Sequence, residues 1–373
     1  MTAWLKTEVH SYHRQMKQFV HRNRFLSALL EAVRNYRRDR RFSTHLRQSI
    51  GAATQWQRPE MVREVAFRQV QRLLLADEPT QKKGYPPLSH IRGSEIAALE
   101  QALRPSARQL LGPAELAAAA RVASLDPADS GAFSLYLAVF WLINQHVILA
   151  LRGSTSAWVA VHLTCWPRLP RAEQCIASFG PPERTGLSHI KLVGTGGDYT
   201  YAAKEQVLGV PSGDGYESLP PKVFQALAIL TLAIHPSGVL KLDDDHRLLD
   251  EQALHHFMRS AATASDAVQY GQVNRMLLPS SHHRAWHFGK CRDAAVGTRV
   301  LEMPTPQQWA AGSAGYILNR PALWRVLWGS LYYGRWLNEI LYEDIALAEL
   351  ATKTGIRVVS TQMERAITAV GDY

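Results

Sequence analysis

Cysteine is scarce in this 373-residue chain, with Cys165, Cys175 and Cys291 the whole complement. Three scattered thiols cannot build a disulfide framework in a chain this long, and no CxxC pair is present for zinc. A reducing compartment is the expectation. The stretch from Met1 to Tyr12 lacks the apolar core of a secretory signal. The one long uncharged stretch, Ser130 to Leu151, is interrupted by Asn144, Gln145 and His146, which are costly in hydrocarbon. It reads as a buried helix followed by a core strand from Val147 to Leu151, with a membrane span as the other reading its length allows. A cytoplasmic protein, at most peripheral on the inner face of a membrane, is expected. A dinucleotide loop is missing too: Gly194 to Gly197 lacks GxGxxG spacing and a following helix.

What is present is otherwise ordinary for a globular protein, with 46 % hydrophobic and 20 % charged residues. The length implies two domains. Positive charge is concentrated at one end. Residues 1 to 60 hold twelve lysines and arginines against four acids, a net of +8 out of the chain's +10. Phe19, Val20, Phe25, Leu26, Leu29, Leu30 and Val33 recur at helical spacing, which suggests an amphipathic helix with a basic face. Three readings stay open: a solvated face, an anionic membrane surface, or nucleic acid, the last without any zinc-finger or RRM pattern to support it.

Residues 1 to 130 read as a helical domain, with clear helices beginning at Ser94 and Pro113 and a loop from Pro79 to Pro87. From about residue 145 strands alternate with helices. Trp158 to Cys165, His189 to Val193 and Gly238 to Leu242 read as strands; Arg171 to Phe179 and Pro220 to Ile234 read as helices. That alternation implies an α/β domain over residues 131 to 373 with a parallel sheet.

The apolar run Val239, Leu240, Leu242 climbs into three consecutive carboxylates, Asp243, Asp244 and Asp245. Adjacent carboxylates repel, so folding alone does not favour them. Mg²⁺ or Mn²⁺ resolves the repulsion, held by one or two carboxylates plus substrate phosphates. Ligands of open α/β sheets bind beyond the carboxyl ends of strands. A metal–diphosphate site is therefore one reading, and a solvated acidic turn closed by Asp250 and Glu251 is the other.

Five elements in order resemble the β1,3-glycosyltransferase family that includes the β1,3-galactosyltransferases and Fringe enzymes. Asp214-Gly-Tyr216-Glu217-Ser-Leu219-Pro-Pro-Lys222 is similar to D-x-Y-x-N-L-x-x-K, and Lys241-Leu-Asp243-Asp244-Asp245 to K-x-D-D-D. Trp286-His-Phe-Gly-Lys290 loosely resembles K-W-Y-V-S. Pro306 to Leu318, with Trp309, Gly312 and Gly315, resembles Y-P-x-Y-x-x-G-x-G-Y-x-L-S with its glycines one residue further apart. Glu343-Asp344-Ile345 resembles E-D-V. The family's early arginine motif is reduced to Arg171 and Ile176-Ala-Ser-Phe179-Gly180. No histidine follows Asp344, so water, Gln362 or Glu364 would complete a metal shell.

The resemblance implies a GT-A fold, Mn²⁺ or Mg²⁺, and inverting transfer from a UDP-sugar of galactose or N-acetylhexosamine type. The acceptor would be the hydroxyl of a glycan or lipid-linked saccharide, as in polysaccharide or lipopolysaccharide synthesis. Asp245 would be the direct metal ligand, with Asp243 facing the ribose or a metal-bound water. Asp344 would be the general base, beside Glu343. Donor contacts would come from Asp244, Arg171, Trp309, Gly312 and Gly315. Lys222 is either a diphosphate contact or a solvent-facing helix lysine. The missing histidine and arginine favour a rival class, a degenerate domain that binds partners through its basic helical half.

Overall fold

The computed structural model describes residues 137, 140, 144–154, 157–275 and 280–370. The basic segment of residues 1 to 60, the helices read before residue 130 and the loop at 79 to 87 lie outside them. In chain order the elements begin with α1 (Gln145–Ser154), β1 (Trp158–Leu163), α2 (Leu169–Ala177), α3 (Pro182–Thr185) and β2 (Leu187–Gly194). Next come β3 (Thr200–Ala202), β4 (Val207–Val210), α4 (Leu219–Ile234), β5 (Gly238–Asp243), β6 (His246–Leu248) and α5 (Glu251–Thr263). Then follow β7 (Val268–Gly271), β8 (Val273–Arg275), β9 (Ser280–Arg284), α6 (Ala294–Gly297), β10 (Leu301–Thr305) and β11 (Gln308–Ala310). The chain finishes with β12 (Tyr316–Asn319), α7 (Arg320–Asn338), α8 (Glu343–Thr354), β13 (Arg357–Ser360) and β14 (Ile367–Ala369).

Eight strands form one sheet in the order β13-β7-β12-β5-β1-β2-β4-β3. β1 lies parallel between β2 and β5, and all three are buried along most of their length, as a sheet covered on both faces requires. One face carries the main core, to which α1, α4, α7 and α8 contribute. Leu254 and Met258 of α5, with Met363 and Ile367, cover Ala160, Leu240 and Leu242 on the other. The result is a mixed α/β, Rossmann-like layering. Among the described residues no helix is long and apolar enough to cross a membrane.

The expected parallel sheet needs two corrections. β12 is antiparallel to both β5 and β7, and β3 is antiparallel to β4. β12 starts opposite Lys241, near the end of β5, and the chain turns there at Gly315 with φ +71° and runs straight back. It is reached from β11 through the short turn Gly312–Ala314 at that end of β5, so it enters the sheet there and runs antiparallel to β5. Val147 to Leu151 is likewise helix, not strand. Val147, Ile148 and Leu151 are buried while His146 and Leu149 are exposed, a helical spacing that a five-residue apolar run conceals. His282 and His283 follow Pro279-Ser280-Ser281, a sequence that reads as a loop, yet they belong to β9 and pair with β10.

Asp214 gathers the carboxyl ends of β1 and β2. Its Oδ2 accepts from the backbone N–H of Trp166 at 2.8 Å, and its Oδ1 from the N–H of Gly194 at 2.8 Å. Lys222 of α4 donates to the same Oδ1 at 2.7 Å and to the carbonyl of Thr164 at 3.1 Å. Lys222 is thus buried in the frame, neither solvent-facing nor open to a donor. Its apolar stem runs through a helix that is buried on nearly every side.

Breaking a buried ion pair strands the remaining charge. Asp214→Ala is expected to lose about 3–5 kcal/mol in urea unfolding, because the Lys222 ammonium keeps no counter-charge. A loss below about 1 kcal/mol, the value of an exposed pair, would contradict this brace.

Candidate functional site

Lys241 is the single charged residue within the apolar part of β5 and is 2 % exposed. Its ammonium lies 2.7 Å from Asp243 Oδ1 and 3.2 Å from Glu343 Oε2. Tyr316, opposite Lys241 in the β5–β12 register, donates its hydroxyl to Glu343 Oε1. Burial pushes the ammonium toward neutrality, but Asp243 and Glu343 outweigh it and hold its pKa above the ordinary lysine value. Burial also raises the Glu343 carboxyl, against the pull of Lys241. Both Glu343 oxygens are taken by protein donors, so this acid supports Lys241 and is not free for the reacting role expected beside Asp344.

The turn after β5 is set by His246. The N–H of Asp243 donates to His246 Nδ1 at 2.6 Å, and His246 Nε2 lies 2.7 Å from the carbonyl of Ser313. The imidazole therefore carries its proton on Nε2 and donates to Ser313. Ligating atoms of Asp243, Asp245 and His246 lie within 4.8 Å of one another. With both ring nitrogens engaged, the two aspartates are the pair open to a cation. Their side chains are 35 % and 27 % exposed. Two part-exposed carboxylates one residue apart fit a hard divalent cation that takes its other ligands from phosphate and water.

Asp244 turns inward. Thr164 donates to its Oδ2 at 3.0 Å and Arg168 lies 2.9 Å from its Oδ1, while burial raises its pKa against both. Where the sequence suggested a donor contact, the structure makes Asp244 a tie between the ends of β5 and β1. Trp309 is 7 % exposed within the main core, so its ring is covered by protein. Arg171, by contrast, reaches the edge. Its guanidinium donates to the carbonyl of Val370 at 2.8 Å and lies 3.5 Å from Asp245 Oδ2.

Asp344 lies in the first turn of α8, against the Gly312 turn. Its Oδ1 accepts from the N–H of Ile345 at 2.9 Å and its Oδ2 from the N–H of Gly312 at 3.3 Å. Burial raises its pKa, opposed by the Gly312 N–H and by Lys241. The two glycines permit this approach. A side chain at Gly312 would meet Glu343 Oε2 at 3.3 Å and Lys241 Nζ at 3.6 Å; one at Gly315 would meet the Lys241 carbonyl at 3.1 Å. Both bring backbone close to the protein's own acids and β5. Tyr216, from the Asp214–Lys222 element, completes the rim. Burial raises its hydroxyl pKa, and Tyr342, Asp344 and Asp243 add to the rise.

The structure thus gathers Asp243, Asp245, Arg171, Gly312, Gly315, Glu343 and Asp344 at one sheet edge, and turns Asp244, Lys222 and Trp309 into frame. Sequence reasoning passed over Tyr216, Lys241 and His246 as site residues, although each sits inside or beside a quoted element. No family model matches the chain, and no curated protein matches it. Among solved structures, a crystal structure of 4-diphosphocytidyl-2C-methyl-D-erythritol synthase is similar over 56 % of this chain and 89 % of that one, at 17 % identity and a TM-score of 0.28. At that score the likeness bears on neither activity nor substrate.

The raised pKa of Asp344 gives a stability test. The folded chain holds this proton more tightly than the unfolded chain, so wild-type stability falls as pH rises from the ordinary aspartate range through the raised folded value. Asp344→Asn removes the desolvated anion. Its thermal midpoint is expected to match or exceed wild type at mildly alkaline pH, with the gap closing as pH falls. A wild-type advantage that grows with pH would contradict the burial argument.

Proposed function

We propose that the carboxyl edge of β1, β2 and β5 binds a nucleoside diphosphate sugar with Mn²⁺ or Mg²⁺ and transfers the sugar, with inversion, to a saccharide or lipid-linked saccharide hydroxyl. This is a GT-A-type glycosyltransferase reading, and the donor that fits the sequence resemblance is a UDP-sugar. One observation carries it. Asp214, Asp244 and Glu343 have both carboxylate oxygens engaged by protein donors, whereas Asp243 and Asp245, each beside one basic side chain, keep part-exposed carboxylates one residue apart.

When bound, the cation supplies Lewis-acid neutralisation of the leaving diphosphate. Asp245 would hold it directly. Asp243, fixed by Lys241, would share it or face the ribose. Arg171 stands where its guanidinium can meet a diphosphate oxygen beside Asp245. Asp344 would accept the proton of the acceptor hydroxyl as that oxygen attacks the anomeric carbon from the side opposite the leaving group. A base works best with a pKa near the working pH, and burial moves Asp344 in that direction.

Release of UDP from UDP-galactose and UDP-N-acetylglucosamine in the presence of Mn²⁺ tests the reading. Asp344→Asn should bind UDP with near-normal affinity while turnover falls by about 10² to 10⁴. Turnover kept within about threefold, far short of the loss expected of a base, would remove Asp344 from the mechanism. Absence of any Mn²⁺-dependent UDP binding in the wild type would return the site to a solvated acidic turn.

A further inference from the structure

Between β7 and β11 the chain leaves the main sheet for an excursion, residues 272 to 307, that carries five lysines and arginines against two acids, a net of +3. This excursion is fastened to the candidate site. The N–H of Trp286 donates to the Tyr342 hydroxyl at 3.2 Å, and buried His287 bridges that hydroxyl at 2.8 Å and the carbonyl of Arg299 at 2.8 Å. The N–H of Arg292 donates to Glu217 at 3.2 Å, and Lys290 sits 5.4 Å from the centre of the Tyr216 ring. Tyr342 immediately precedes Glu343 and Asp344.

Trp286 is held and yet left open. The Arg284 guanidinium lies 4.4 Å over its ring and the Tyr342 ring stands 5.4 Å away at 56°, but the indole remains 54 % exposed. Burying an indole stabilises a fold, so one fixed in the open beside a site suits a flat ligand with an apolar face. The C–H face of a sugar ring is such a ligand.

We propose that residues 284 to 292 of this excursion form the acceptor surface and take an acidic saccharide, a sugar ring stacking on Trp286 while carboxylate or sulfate groups meet exposed Lys290 and Arg292. The inference rests on the transferase reading, since it names the acceptor of that site. A single-stranded nucleic acid would want successive aromatic platforms. Phe288, the neighbouring exposed aromatic, instead stands edge-on to His287 at 88°.

The test is calorimetry on the full chain without donor, using tetragalacturonate, a heparin tetrasaccharide, and the methyl ester of the former, which keeps the rings and removes the charge. At least one acidic tetramer should bind about tenfold tighter than the ester, a difference of roughly 1.4 kcal/mol. Trp286→Ala should weaken acid and ester forms alike by about tenfold, the lower end of ring stacking, while Lys290→Gln with Arg292→Gln should weaken the acid form alone. All three substituted residues are exposed, so folding is not at stake. No binding by either acidic tetramer, equal binding of acid and ester, indifference to Trp286→Ala, or tighter binding of an oligothymidylate would each overturn the proposal. UDP binding with Mn²⁺, measured in parallel, separates the two ideas: its survival alongside such a failure leaves the transferase reading standing, and its loss alongside Trp286-dependent saccharide binding leaves a saccharide site without the transferase.

Discussion

Everything at the site hangs on one buried ammonium. Lys241 places a cation in an otherwise apolar strand, and the fold tolerates it because Asp243 and Glu343 both reach it. A buried ion without partners costs several kcal/mol, so this arrangement fixes three elements at once. It ties β5 to the start of α8 through Glu343 and to β12 through Tyr316. Two carboxylates share one ammonium, and the surplus negative charge falls on Asp243, the more exposed of the two. Arg171 sets one positive charge 3.5 Å from Asp245 just outside the sheet, and the proposed cation would add another.

The acids of this edge divide by what their neighbours do to them. Asp214 and Asp244 bind strand ends together, through backbone N–H groups in one case and through Thr164 and Arg168 in the other. Asp243 and Asp245 are left with oxygens facing outward. Asp344 is a third kind, partly buried and raised in pKa, with a hydrogen bond from the glycine turn that connects β11 to β12. In the proposed reading, binding and proton-accepting carboxylates are the same residue type, set apart by burial and by the donors around them.

Much of this was legible in the sequence where the apolar pattern had only one solution. The run Val239 to Leu242 ending in three aspartates could hardly be anything but a buried strand leaving a sheet, and Glu343-Asp344 before an apolar run marks a helix start. Other features depend on contacts that no local pattern encodes. Val147 to Leu151 is short enough to satisfy helix or strand, and packing against α4 decides it. Lys222 lies inside because Asp214, eight residues back, comes round to meet it. Trp309 and Trp286 are the same residue type in neighbouring elements, and only the fold distinguishes the core ring from the open one. His246 follows the triplet as though it were a fourth ligand, yet both its nitrogens serve the turn.

The central claim is that Asp243 and Asp245 hold a divalent cation together with a nucleoside diphosphate. Electron paramagnetic resonance of Mn²⁺ tests it most directly, because the signal of the free hexaaqua ion collapses when the ion is bound to protein. The account predicts that the full chain with UDP depletes the free signal, that UDP deepens the depletion over protein alone, and that Asp245→Ala with UDP leaves the signal at the level of UDP without protein. Equal depletion by wild type and Asp245→Ala, or none by wild type, would contradict it.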